Sequence, residues 1–104
     1  MTAKSIALGI NKNLKSKAVK DRWQVFDGET PYSKDAYSPQ NAWYEAKIVA
    51  TCPFKPNDTI IHKRTGSKYK CVAHTDINCI NHILSEKGTV EYLYEWQWPE
   101  YEKQ

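Results

Sequence analysis

FKPNDTIIHKRTGSKYKCVAHTD, residues 54–76, places two apolar-rich runs, Thr59 to His62 and Lys68 to Ala73, on either side of the polar turn Lys63-Arg64-Thr65-Gly66-Ser67. Gly66 supplies the positive φ that a short hairpin loop needs, so the stretch reads as a β-hairpin. It sets the expectation of a small, hairpin-based, β-rich chain that works by binding.

Outward from the hairpin, Pro53 and Pro56 cut short whatever precedes it. Trp43 to Thr51 then reads as a strand through the β-formers near Ile48 and Val49, with a short helix through Ala-Trp-Tyr-Glu-Ala-Lys as the competing pattern. Further back, Trp23 to Phe26 is β-prone and is followed by the Asp27-Gly28 turn and a Tyr-Ser-Pro-rich loop. On the other side, Asp76 to Leu84 is a strand or loop, and Glu86-Lys87-Gly88 a turn. Thr89 to Trp98 is the clearest alternation: Val90, Tyr92, Tyr94, Trp96 and Trp98 share one face, and Glu91, Leu93, Glu95 and Gln97 the other. Short strands at this spacing predict a mainly β, single-domain barrel or sandwich of SH3-like type over residues 23–104. Residues 1–22, rich in Lys, Asn and Ser, predict an extended basic N-terminal arm, because the apolar residues are scattered and Gly9 weakens any helix.

With 104 residues the chain has room for one core. The four Trp and seven Tyr supply stiff, half-polar contact surface. No run approaches the roughly 20 apolar residues of a membrane span, and the start lacks the apolar stretch of a secretion signal, so the expected place is the cytoplasm. Cys52, Cys71 and Cys79 are read as reduced thiols. The charge is uneven. Residues 1–22 carry six basic side chains against Asp21, whereas residues 85–104 carry five glutamates against two lysines. Ends of opposite charge favour contact between copies or with a complementary subunit.

Four residues, Cys71, His74, Cys79 and His82, have the right types for a tetrahedral zinc site. Their spacing argues against it: Cys71 and His74 run along a strand, where residues three apart face opposite ways. No cofactor is therefore expected. Nor is an enzyme: a Cys and a His can form a nucleophile and base, but no third orienting residue follows from the spacing, and neither a GxxxxGK[ST] nor a GxGxxG loop is present. Lys63, Arg64, Lys68 and Lys70 around Tyr69 make nucleic acid the alternative partner, a small barrel holding phosphates with lysines and bases with aromatic rings.

The pattern Phe54-x-x-Asn57-Asp58-x-Ile60, Thr65-Gly66-x-x-Tyr69-x-Cys71, Ala73-His74-Thr75 resembles a hairpin of phage virion proteins and of small chitin-binding-like modules, with Asn57 standing where those have glycine. The size, the lysine-rich start and the terminal aromatic strand resemble small phage head–tail connector, head-closure and capsid accessory proteins. That resemblance implies a non-enzymatic structural or assembly protein of the virion, made in the host cytoplasm, whose partners are other virion proteins and copies of itself. Carbohydrate binding, nucleic-acid binding and inhibition of a host protein are the alternatives. The residues expected to engage partners are Lys12, Lys15, Lys17, Lys20, Arg22, Lys63, Arg64, Trp96, Trp98 and Tyr101.

Overall fold

The chain divides between Thr51 and Cys52 into two units, each with its own antiparallel sheet and its own buried cluster. The structure, a computed structural model, describes residues 2–73 and 80–104.

In the first unit, helix α1 (Ala3–Ile10) leads into strands β1 (Leu14–Val19), β2 (Arg22–Asp27) and β3 (Thr30–Pro31), and helix α2 (Pro39–Thr51) closes it. The sheet order is β1-β2-β3. Helix α1 starts at Thr2, whose hydroxyl accepts the Ser5 N–H at 3.1 Å while the Ser5 hydroxyl returns to the Thr2 carbonyl at 2.9 Å. Helix α2 starts after Ser38, whose hydroxyl accepts the Asn41 N–H at 3.1 Å, with Pro39 at the first helical position, where a missing N–H costs nothing. Alternate β1 and β2 residues face the helices, so Leu14 and Val25 join Ala7, Ala42, Trp43 and Ala46 in the core.

Two expectations are corrected here. Residues 1–22 are not an extended arm: α1 and β1 are ordered because Ala7 and Leu14 find buried partners. The segment read as a strand over Trp43–Thr51 lies inside α2. The spacing of Ala42, Trp43 and Ala46 puts three side chains on one helical face, and that burial outweighs the β preference of Ile48 and Val49.

The second unit holds β4 (Thr59–His62), β5 (Lys68–Ala73), β6 (Ile80–Ser85), β7 (Val90–Tyr92), a 3-10 helix (Glu95–Glu100) and β8 (Tyr101–Lys103). The hairpin read from residues 59–73 forms with those boundaries, and Gly66 has φ +75°. All pairings are antiparallel in the order β7-β6-β5-β4-β8. The last strand returns to the first, yet β7 and β8 remain edges and the barrel is not closed. Ile60, Cys71 and Ile83 face inward and are covered by Phe54, Leu93, Tyr101 and the half-buried Trp98. The expected strand over Thr89–Trp98 is shorter, ending at Tyr92: once Leu93 is buried, burial of Trp98 requires the chain to coil, and Gln97 locks the coil. The Gln97 Oε1 accepts the Tyr94 N–H at 2.9 Å, while the Gln97 N–H donates to the Tyr94 carbonyl at 2.9 Å.

Neither unit is the single domain over residues 23–104 that the pattern implied; what holds is a β-rich chain of two antiparallel sheets. Among the described residues no helix is long and apolar enough to cross a membrane.

Asn57 explains its own place in the hairpin motif. Lys55-Pro56-Asn57-Asp58 turns with an Asp58 N–H to Lys55 carbonyl bond of 3.1 Å and with Asn57 at φ 73°. This is a type II turn, with Pro at its first central position and glycine or asparagine required at the second. Asn57→Gly is expected to leave stability nearly unchanged, whereas Asn57→Val, β-branched in a left-handed conformation, should cost about 1–2 kcal/mol in urea denaturation.

Candidate functional site

Strand β7 places His82 opposite Tyr92, and Leu84 opposite Val90, on the sheet face away from the core. Along the chain, alternation then carries Tyr92 and Tyr94 out to solvent while Leu93 turns in. Trp96, in the first turn of the 3-10 helix, continues the outward row. Tyr92 is 60% exposed, Tyr94 53% and Trp96 70%, so three large rings stand in water side by side.

Their geometry is ordered. His82 lies 4.4 Å from Tyr92 between ring centroids. Tyr92 and Tyr94 are 5.9 Å apart with planes 22° from parallel, and Tyr94 and Trp96 are 5.9 Å apart with planes 7° from parallel. Tyr94 lies between the other two rings and nearly parallel to both, within the range of offset aromatic pairs. Glu91 and Glu95 alternate with these rings along the chain, and Glu100 follows with its carboxylate 3.4 Å from His62.

The ten residues expected to meet partners are scattered by the fold. Trp96 belongs to the exposed row. Trp98 packs against the core, and Tyr101 is buried at 9% exposure, its ring edge-on to His62 at 5.0 Å and to Tyr69 at 5.8 Å. Tyr101 is thus part of the core, and Trp98 is half-buried against it. Lys63 and Arg64 sit exposed in the β4–β5 turn, which His62 organises. Its Nδ1 accepts the Arg64 and Thr65 N–H groups at 3.2 and 3.3 Å, so the ring hydrogen is on Nε2, 3.4 Å from the Glu100 carboxylate. Lys12, Lys15, Lys17, Lys20 and Arg22 belong to the first unit's β1–β2 hairpin and its entry rather than to an arm.

Tyr92 and Tyr94 are the residues that the sequence reading did not single out. Their signal was the alternation itself, which gives two faces without saying which is wet; the glutamates on the other face pointed the wrong way.

For the proposed zinc set, His74 and Cys79 lie outside the described residues. Cys71 faces the core opposite Ile83, whereas His82 is on the opposite face against Tyr92, so these two do not meet at one ion. Burial pushes the Cys71 thiol up to about 12, with the Asp58 carboxylate and Cys52 adding to the effect. Burial likewise raises the Cys52 thiol. Both are therefore neutral at physiological pH, poor as nucleophiles and suited to packing.

No protein family, curated protein or solved structure matches the chain.

The Cys71 environment has a consequence for stability. The folded chain favours the neutral thiol, so the associated stability is fully present below the ordinary value of 9.0 and is lost as pH rises from there toward about 12. Compared by urea denaturation at about pH 8 and about pH 10.5, the parent should lose more stability than Cys71→Val; equal losses would show that the buried thiol plays no part.

Proposed function

We propose that this chain is a non-enzymatic phage virion protein, of the head–tail connector, head-closure or capsid accessory kind, acting through protein–protein contacts with other virion proteins and copies of itself. It would be made in the host cytoplasm and held in the particle. The observation that supports a contact role is the exposed, offset-stacked row of Tyr92, Tyr94 and Trp96. Tyr and Trp are the residues that protein interfaces concentrate at their energetic centres, because they bury large area with few rotatable bonds.

Phosphate is disfavoured here by the acidic charge of residues 85–104, five glutamates against two lysines. A sugar ring stacks on aromatic faces, and Trp96 at 70% exposure offers one, so sugar is the alternative that competes for this row. We read the second unit as an SH3-like arrangement opened between β7 and β8, since its last strand follows a 3-10 turn and pairs with its first. That layout leaves the aromatic row beside a sheet edge, where a partner's chain could also pair.

Light scattering over a range of concentrations should give a discrete oligomer for the parent and a folded monomer for Tyr94→Ala/Trp96→Ala, with circular dichroism establishing the fold. Truncating an interface aromatic typically costs about 2 kcal/mol or more, so association should weaken by about 30-fold or more. A parent that stays monomeric, with Trp fluorescence that responds to chitooligosaccharides, would overturn this reading in favour of sugar binding.

A further inference from the structure

In the first unit, the helices cover the Leu14 and Val25 face of the sheet. The opposite face is built from the ladder pairs Lys15↔Phe26, Lys17↔Gln24 and Val19↔Arg22. No carboxylate occupies any of these ladder positions. Lys12 precedes the face and Lys20 stands at its turn beside Asp21, so five cations and one carboxylate lie along the β1–β2 hairpin and its ends. Lys17 and Arg22 are partly engaged: the Lys17 ammonium donates to the Gly28 carbonyl at 3.0 Å, and Arg22 lies 3.8 Å from Asp35. Lys12, Lys15 and Lys20 make no ion pair among the described residues.

We propose that this ribbon face binds duplex DNA through its phosphate backbone. Three observations select that occupant. The face has the positive charge that phosphates attract. Its rings each carry a cation: the Lys17 ammonium lies 5.1 Å above Phe26, and the Arg22 guanidinium 4.3 Å from the Tyr37 ring while donating to the Tyr37 hydroxyl at 2.9 Å. A single strand is held by successive bases stacking on several aromatic faces, and this face offers one ring with free area, Tyr37 at 74% exposure. Finally, the turn end of the β1–β2 hairpin, where Val19 pairs with Arg22 beyond the positions that β3 pairs, is a two-stranded antiparallel ribbon of the kind the major groove of B-form DNA admits, whereas the major groove of A-form RNA is too deep and narrow for it.

Lys20 adds an independent indication. It occupies the β1–β2 turn with φ 58°, a conformation in which glycine would be the less strained residue. A lysine kept in that backbone projects its charge from the ribbon tip, which is the kind of local cost that accompanies a binding role.

The experiment is fluorescence anisotropy of the full chain with a labelled duplex of about 20 base pairs, titrated at several salt concentrations. With about three phosphates neutralised at roughly 0.9 counterion each, affinity should fall about 40-fold between 50 and 200 mM salt. Lys15→Ala and Lys20→Gly should each weaken binding to all duplex sequences alike and lower the salt slope by about 1. Lys20→Gly is the sharper variant: relieving the backbone should maintain or raise the melting temperature while affinity falls, separating charge from folding. Lys63→Ala/Arg64→Ala in the second unit should leave binding in place. The proposal is overturned if duplex DNA does not bind at 50 mM salt or if oligothymidylate or polyglutamate binds equally well. It is also overturned if binding is insensitive to Lys15 and Lys20 or is lost instead with Lys63 and Arg64.

Discussion

A chain of 104 residues divided into two units of about fifty can cover only one face of each sheet, and the remainder of the structure depends on that constraint. Among the described residues, each unit has a cluster of six buried side chains: around Val25, Trp43 and Ala46 in one, and around Ile60, Cys71 and Ile83 in the other. Cores this small leave no second hydrophobic layer. The strands therefore put apolar residues inward where the core lies and leave the outward positions as surface. The two outward faces differ in chemistry. One carries Lys17 over the half-buried Phe26 and Arg22 beside Tyr37, and the other a row of exposed aromatic rings.

What could be read from the sequence follows the same constraint. The hairpin over residues 59–73 was legible because a local turn with Gly66, and two short runs beside it, specify it without help from distant residues. Residues 1–22 were not, because α1 is eight residues long and unremarkable alone; it exists by packing Ala7 against α2, a contact more than thirty residues away in sequence. Helix α2 was misjudged for a related reason. Its Ala42, Trp43 and Ala46 look weakly apolar in a linear reading, although small residues at helical spacing let the helix seat closely on the sheet. In the last segment, the alternation from Val90 was plain, but the wet face could not be chosen until the position of Leu93 in the core was known.

The second unit also shows how buried polar groups are reconciled with a small core. Tyr101 is buried, and burial raises its hydroxyl group above the ordinary range, with Tyr69 and the glutamates 91 and 100 acting in the same direction. It therefore stays neutral and serves as a large apolar body with edge-on contacts to His62 and Tyr69. The histidine, in turn, uses Nδ1 to satisfy two turn amides, so the hairpin tip is organised by the same side chain that touches the core. Cys71 fills the neighbouring inward position as a small neutral group. Cys71, which looked reactive in the sequence, is thus absorbed by packing, and charged and aromatic residues stand on the opposite faces.

Among the described residues, two other than glycine take left-handed backbone, and they differ in how the turn accounts for them. Asn57 is at the position where a type II turn requires such a residue, and the chain compensates it: its N–H donates to the Cys71 carbonyl at 2.9 Å, and the Cys71 N–H returns to Asp58 at 2.8 Å. Asparagine is also among the residues that tolerate this region best. Lys20 has neither advantage. A lysine gains nothing from left-handed geometry, its backbone conformation serves a tight turn that glycine would make with less strain, and its side chain finds no ion-pair partner among the described residues. A folding account is complete for Asn57 and incomplete for Lys20. What remains at Lys20 is the charge itself, and its exposure at the tip of the hairpin is what the proposed contact with DNA phosphates would use.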